Sequence, residues 1–121
     1  MSNIHPTVII DSQARIHPSV KISAFTIING KVKINKNCII GSHVTIGAKP
    51  ATDDISKKLK NTVVIDESCQ IYDGSIIQSG CITTTKIGKN TKINYNCVIG
   101  HGVVIGKNCF IGLNNTISGI S

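Results

Sequence analysis

The sequence of 121 residues is poor in aromatic side chains, which make up 3% of it, and it has no tryptophan and one methionine. These numbers exclude a core built on aromatic packing. The hydrophobic residues, 40% of the chain, must be mainly small and β-branched aliphatics, which favour strands. Without aromatic platforms for stacking bases, and with its lysines spread along the chain, the protein is not expected to bind nucleic acid.

The sequence also lacks long apolar runs and an apolar N-terminal targeting segment. We therefore expect a cytoplasmic protein without membrane insertion. Its five cysteines include no Cys-x-x-Cys pair, so neither a disulfide framework nor a metal site is indicated. Acidic residues are few, six against thirteen Lys and Arg, and the resulting net charge of +7 suits acidic partners.

What the sequence does have is a repeat of six residues. Isoleucine recurs at every sixth position from Ile4 to Ile46, and again over 65–77 and 87–117. A small or aliphatic residue stands two positions before most of these isoleucines, and Gly or Asn often follows them. A period of six residues matches neither a helix nor a long strand, but it matches a short strand with two inward side chains followed by a turn. Such units must stack around a shared aliphatic column, because one alone buries too little.

This register also gives the cysteines a place. Four of them occupy the small inward position two residues before an isoleucine, namely Cys38, Cys69, Cys97 and Cys109. We expect these four in the core as small hydrophobic residues. Cys81 lies in an irregular stretch and its role stays open.

The pattern resembles the hexapeptide-repeat family. The resemblance implies an all-β fold, a left-handed parallel β-helix in which three hexads form one triangular coil of about eighteen residues. Counting hexads gives about six coils in a single domain spanning 1–121. The N-terminal uridine-binding domain and the C-terminal helical part found in some relatives are not expected in this sequence.

Two steps interrupt the repeat. Nineteen residues separate Ile46 from Ile65, which predicts a loop extruded near 48–62. It is either a tolerated surface insertion or a flap over a groove between subunits. Ten residues separate Ile77 from Ile87, so this step must cut or widen a corner of the helix.

Of the four histidines, His101 is the candidate for catalysis. It stands at a corner, two residues after Ile99, between Gly100 and Gly102. One coil of about eighteen residues later comes Gly119, which should lie beside it. A histidine next to a free glycine N–H combines a general base with an oxyanion donor. His5 and His17, in the duplicated "IHPTVI" and "IHPSVK", and the outward His43 are interpreted as corner or surface residues.

A closer resemblance covers "TVVIDESCQIYDGSIIQSGCITTTKIGKNTKINYNCVIGHGVVIG". This run is similar to the β-helix of the UDP-3-O-acylglucosamine N-acyltransferase family, and "NCVIGHGVVIGKNCFIGLNNTISG" is similar to related nucleotide-sugar acyltransferases. The resemblance implies transfer of an acyl or acetyl group to an amino or hydroxyl group of a nucleotide-linked sugar, in lipid A or surface polysaccharide synthesis. His101 would be the base and the Gly119 amide the oxyanion donor.

The same resemblance implies a homotrimer with active sites between subunits. Acyl carrier protein or coenzyme A would bring the acyl group as a thioester, with no tightly bound cofactor and no metal. This sequence differs from the family at Gly102, where Asn or Asp is usual, and at Gln78 and Ser79, which replace an acidic and basic pair.

Two other interpretations stay open. The first is that the chain is a non-catalytic trimeric scaffold or a truncated relative that keeps only the fold. The second is that the protein is a γ-type carbonic anhydrase, an enzyme that has the same β-helix fold. That enzyme needs three zinc-binding histidines, two of them five residues apart, and Gly106 stands where the second would be.

Overall fold

The structure, a computed structural model, describes residues 3–49, 62–80 and 83–119. These residues form short strands joined by tight turns. The strands are β1 Ile9–Ile10, β2 Arg15–Ile16, β3 Lys21–Ile22, β4 Ile27–Ile28, β5 Lys31–Ile34, β6 Ile39–Ile40, β7 Thr45–Ala48, β8 Thr62–Ile65, β9 Gln70–Ile71, β10 Ile76–Gln78, β11 Thr85–Ile87, β12 Lys92–Ile93, β13 Val98–Ile99, β14 Val104–Ile105, β15 Phe110–Ile111 and β16 Thr116–Ile117. In this part of the chain no helix is long and apolar enough to span a bilayer.

The strands form three parallel sheets, because each strand pairs with the third strand after it. Sheet A contains β3, β6, β9, β12 and β15; sheet B contains β1, β4, β7, β10, β13 and β16; sheet C contains β2, β5, β8, β11 and β14. A bridge from Ile4 to Ile22 adds a further rung to sheet A. The chain thus passes through one strand of each sheet per coil, and the predicted all-β parallel β-helix is confirmed.

The isoleucines stack in register from coil to coil. In sheet B, Ile28 pairs with Ile46, and Ile77 pairs with both Ile46 and Ile99. Each of these side chains is buried. The small inward residues include hydroxyls, and these are satisfied by neighbouring carbonyls, as where Thr26 Oγ1 donates to Gly41 O at 2.6 Å. The core is therefore an aliphatic column lined by hydrogen-bonded small residues.

The cysteines lie where the repeat places them. Cys38, Cys69 and Cys97 are fully buried, and Cys109 is partly buried against the last rungs. Contact with the Cys69 thiol, and then burial, raises the pKa of the Cys38 thiol and keeps it protonated. Cys81 is outside the described residues.

The turns correct one detail of the sequence interpretation. Positive φ is required three residues after the isoleucine rather than directly after it, as at Asn96 (φ 56°) and Asn114 (φ 56°). Several glycines directly after an isoleucine are instead explained by close contact between coils. A side chain at Gly88 or Gly100 would overlap the backbone of the next coil.

Both interruptions of the repeat lie at one corner, between sheets B and C. The other two corners are crossed in six residues in every coil. Because Ile77 remains in sheet B and Ile87 in sheet C, the ten-residue step widens this corner without skipping a strand. The longer excursion leaves after β7 and returns at β8; of the loop predicted near 48–62, residues 50–61 lie outside the described residues.

Candidate functional site

His101 and Gly119 lie side by side at the B–C corner. Ile99 pairs with Ile117, and this register places the residues that follow β13 against those that follow β16. A Cβ added to Gly119 would lie 2.6 Å from His101 Cδ2 and 2.8 Å from His101 Nε2. The imidazole edge therefore covers Gly119, in the arrangement that the coil length predicts. The catalytic roles of the two residues stay predictions.

The backbone around His101 is held on both sides. The His101 N–H donates to Gln78 Oε1 at 3.1 Å, and the Gly102 N–H donates to Thr85 Oγ1 at 2.9 Å. The Gly100 N–H donates to Ile117 O at 2.7 Å. Because Thr85 is fully buried, the peptide is fixed to the core while the half-buried imidazole projects from it.

The His101 imidazole has neither a hydrogen-bond partner nor a ring partner in the described chain, which distinguishes it from the other histidine side chains. His5 Nδ1 contacts Thr7 Oγ1 at 2.8 Å, and His17 Nδ1 contacts Ser19 Oγ at 2.8 Å. His43 stacks on Phe25 with ring centroids 5.2 Å apart. The interpretation of these three as corner or surface residues agrees with these contacts, and His101 is left with a ring free for chemistry.

The glycines beside His101 serve the fold. Both Gly100 and Gly102 are buried, so neither opens the backbone around His101 to a substrate. Gly102 has φ 73°, the left-handed conformation that Asn adopts at the equivalent turn positions, so Asn and Gly are interchangeable there. A side chain at Gly100 would overlap the Gly119 backbone, with its Cβ 2.6 Å from Gly119 Cα.

The second group of the candidate site is the Gly119 amide. Its N–H makes no hydrogen bond to any residue of the described chain, whereas the Gly100 N–H is used in the sheet. A base and an unused amide in contact can together accept a proton from an attacking group and stabilise an oxyanion. This arrangement suits acyl transfer.

Two residues of the site, Gln78 and Thr85, were not identified from the sequence. Gln78 was regarded only as the replacement of a charged residue, yet its side chain orders the His101 peptide. Thr85 looked like one more inward small residue, yet it holds Gly102. The strand pairing places Gln78 one coil before Gly100 and Thr85 one coil before Val103, so counting coils across the ten-residue step would have placed both residues beside the turn that holds His101.

The bases of the two excursions are tied together below His101. The Ser79 N–H donates to Ala48 O at 2.8 Å, and the Gly80 N–H donates to Thr62 O at 3.1 Å. The Thr62 and Thr84 hydroxyls lie 2.7 Å apart. The described ends of both irregular segments therefore converge on the corner that holds the candidate base.

The geometry also bears on a metal centre. Across residues 3–49, 62–80 and 83–119 no three His, Cys, Asp or Glu side chains come together in a way that would hold a metal ion. The zinc site of the carbonic anhydrase interpretation has no counterpart among these residues.

Comparison with known structures places the fold. UDP-N-acetylglucosamine O-acyltransferase (LpxA) from Moraxella catarrhalis RH4 superposes with a TM-score of 0.70 at 24% sequence identity, over 97% of this chain and 53% of that one. The chain thus spans about half the length of this acyltransferase. The similarity agrees with the predicted left-handed parallel β-helix. No curated protein sequence matches the chain.

Comparison with family models gives a match over most of the described residues. The model described as bacterial transferase hexapeptide (six repeats) matches residues 13–48 and 84–119, which together exceed half of the chain and include both His101 and Gly119. The fold, the repeat and this match agree: the chain belongs to the bacterial hexapeptide-repeat transferase family.

Proposed function

We propose that this protein is an acyltransferase that moves an acyl or acetyl group from a thioester to an amino or hydroxyl group of a nucleotide-linked sugar. The observation that supports the proposal is the contact between the unpaired His101 imidazole and Gly119, whose N–H is unused. Family membership and the structural similarity to an acyltransferase point to the same kind of chemistry.

In the proposed reaction, His101 takes the proton from the acceptor amine or hydroxyl as that group attacks the thioester carbonyl carbon. The carbonyl π electrons move to oxygen, and the Gly119 N–H donates to the resulting oxyanion. Collapse of the tetrahedral intermediate breaks the carbon–sulfur bond. The thiolate leaves and takes the proton from the imidazolium, which restores the base.

The donor is proposed to be acyl carrier protein or coenzyme A, and no tightly bound cofactor takes part. Both donors are acidic, and the net charge of +7 favours their approach. A nucleotide-linked sugar is proposed as the acceptor because the 62–119 region resembles nucleotide-sugar acyltransferases.

We also propose a homotrimer, with sheet B as the contact face. Its outward side chains are mostly apolar, including Ile9 (63% exposed), Ile27 (42%) and Ile76 (36%). A face of this kind favours burial against another subunit. His101 follows sheet B directly, so subunits joined there would place it in a cleft.

Substitution of His101 tests the catalytic assignment. His101→Ala should lower transfer by about 10²–10⁴-fold, because it removes the general base. His43→Ala, at a regular corner, is the matched control and should retain wild-type rates. Release of free thiol is measured with acetyl-coenzyme A and acyl carrier protein donors and a panel of UDP-amino sugars. Unchanged transfer in folded His101→Ala would contradict the role of this residue, and no transfer by the wild type with any pair would favour the scaffold interpretation.

Substitution of Gly119 tests the contact itself. Gly119→Ala keeps the amide but places a methyl group against the imidazole, displacing the ring. A displacement of about 1 Å should lower kcat by roughly 10²-fold. If Gly119→Ala has the wild-type kcat, the two residues do not act together.

Substitution on sheet B tests the assembly. Ile27→Lys should give monomers in light scattering, because it introduces charge into the apolar face. Lys21→Gln, on sheet A, is expected to leave the trimer intact. A wild-type protein that is monomeric at micromolar concentration would contradict the proposed trimer.

A further inference from the structure

The outer face of sheet C forms a basic groove away from His101. Arg15 pairs with Lys33 on the neighbouring strand, and Lys31 pairs with Thr62. These residues line a groove of about 580 Å³ together with Gln13 and Thr84. Lysines and an arginine that are scattered in the sequence are thus gathered by the coil period.

The cations of this groove have no carboxylate partner in the described chain. Arg15, Lys31 and Lys33 make no ion pair there; the two ion pairs present join Lys36 and Lys89 to Glu67. Among the described residues, no Asp or Glu lines the groove.

Two carboxylates next to these strands in the sequence, Asp11 and Asp66, accept hydrogen bonds from other groups. Asp11 Oδ1 accepts from the Gln13 N–H at 2.9 Å and its Oδ2 from the Gly30 N–H at 3.1 Å, and these bonds lower its pKa. Asp66 Oδ1 accepts from Asn35 Nδ2 at 3.2 Å. Neither carboxylate forms an ion pair with Arg15, Lys31 or Lys33 among the described residues.

The groove also presents a neutral hydrogen-bond donor. The Thr62 and Thr84 hydroxyls share one hydrogen bond at 2.7 Å, and both side chains are half-buried. Because one hydroxyl must donate to the other, the proton of the accepting hydroxyl remains free for a ligand oxygen. Cations with a hydroxyl beside them are the groups that phosphate oxygens require.

The spacing of the cations favours a compact ligand. Neighbouring strands are about 4.8 Å apart, and alternate residues of one strand about 6.6 Å apart, so the three cations can converge on two adjacent phosphoryl groups. The volume lies in the range of small-molecule sites, roughly 300–1,000 Å³. No aromatic residue lines the groove, so the stacking on which single-stranded nucleic acid depends is absent from it.

We propose that this groove on sheet C, formed by Arg15, Lys31 and Lys33 with the Thr62–Thr84 hydroxyl pair, binds a small molecule that contains a diphosphate group. The groove is centred on β5 and β8, and β5 lies three strands from the strand that follows His101, about 14 Å along the helix axis. The three cations are therefore separate from His101, while the Thr62–Thr84 hydroxyl pair lies at the B–C corner in the coils between them. Diphosphate binding by the groove does not depend on catalysis by His101.

Calorimetric titration of the whole chain with inorganic pyrophosphate at fixed ionic strength tests the proposal. We expect saturable binding that weakens by about tenfold or more in Lys33→Gln and in Arg15→Gln, since each substitution removes a charged hydrogen-bond donor. Lys92→Gln, an outward lysine of sheet A, is the matched control and should bind as the wild type does.

Further ligands identify the source of the diphosphate. Binding of UDP that is tighter than that of pyrophosphate indicates a nucleotide, and equal binding indicates recognition of the diphosphate alone; either result supports the site. The proposal is overturned by no saturation up to millimolar pyrophosphate, by equal loss in Lys92→Gln, or by preference for single-stranded nucleic acid. Melting curves of each variant, in which only outward side chains change, verify the fold.

Discussion

The B–C corner and the A–B corner of the same helix are built from the same repeat, yet they differ in almost every other respect. The A–B corner is crossed in six residues in each coil, and its side chains contact one another, as in the Phe25–His43 stack and the Tyr72–Tyr95 pair. The B–C corner has both long steps of the repeat, a hydrogen-bonded network of polar groups and a histidine whose ring is unpartnered in the described chain.

The difference shows how a repeat fold separates stability from function. Regular corners close each coil with the fewest residues, so their side chains serve the turn. At the B–C corner the chain can lengthen without disturbing the sheets, because the strand register resumes unchanged at β8 and β11. The candidate catalytic groups therefore lie where the scaffold tolerates variation.

The largest expected contrast comes from one substitution made at both corners. A Cβ at Gly100 would overlap the Gly119 backbone, whereas a Cβ at Gly112 would meet only Asn115 Nδ2 at 3.4 Å. Gly100→Ala should therefore destabilise the fold by about 1–3 kcal/mol, which lowers Tm by roughly 4–8 °C per kcal/mol. Gly112→Ala should melt close to the wild type. Equal melting temperatures for the two variants would contradict the close contact between Gly100 and the coil that follows it.

A smaller effect is expected from Gln78→Leu. This change removes the acceptor of the His101 N–H, and a hydrogen bond of this kind contributes about 0.5–1.5 kcal/mol, or about 2–10-fold in kcat/KM. Gln78→Glu keeps an acceptor oxygen and should restore most of the rate. Gln70→Leu, on sheet A, should have no effect on transfer. Failure of Gln78→Glu to recover activity would contradict a positioning role for Gln78.

The smallest effect is expected at the C–A corner, where Glu67 bridges Lys36 and Lys89. A hydrogen bond from Lys89, 2.6 Å away, lowers the pKa of Glu67 in the folded state. The stability it contributes is therefore present above the ordinary glutamate pKa of about 4.3 and is lost as the pH falls through the lower folded value. Melting curves of Glu67→Gln and the wild type should differ slightly at pH 7 and converge in acid. A difference that is constant over this range would contradict the assignment.

The fold was predictable from the sequence because its main determinant is a period. The isoleucines at every sixth position fixed the strands, the inward cysteines and the contact between His101 and Gly119. The hand and the assembly were accessible only through the family resemblance, since a spacing of six is compatible with either hand.

Other features could not be predicted from the sequence, for physical reasons. The role of Gln78 depends on a side chain that reaches the next coil, and the basic groove depends on residues sixteen or eighteen positions apart lying on neighbouring strands. The lysines looked dispersed when counted along the chain. The turn glycines were misassigned because positive φ and close approach between coils both favour glycine, and only the backbone separates the two causes.

Because each strand pairs with the third strand after it, the face on which a residue lies is determined by the number of six-residue units that precede it. Removing a whole coil of eighteen residues from the regular part would shorten the molecule and leave every later residue on its own face. Removing six would turn all of the downstream sequence by one face, so that the lysines of sheet C would move to the face of sheet B and the isoleucines of sheet B to the face of sheet A. In the regular part of the chain, length can therefore change only by whole coils if every later residue is to keep its face. The corner at which His101 lies is different, because steps of nineteen and ten residues there leave each later strand in its own sheet.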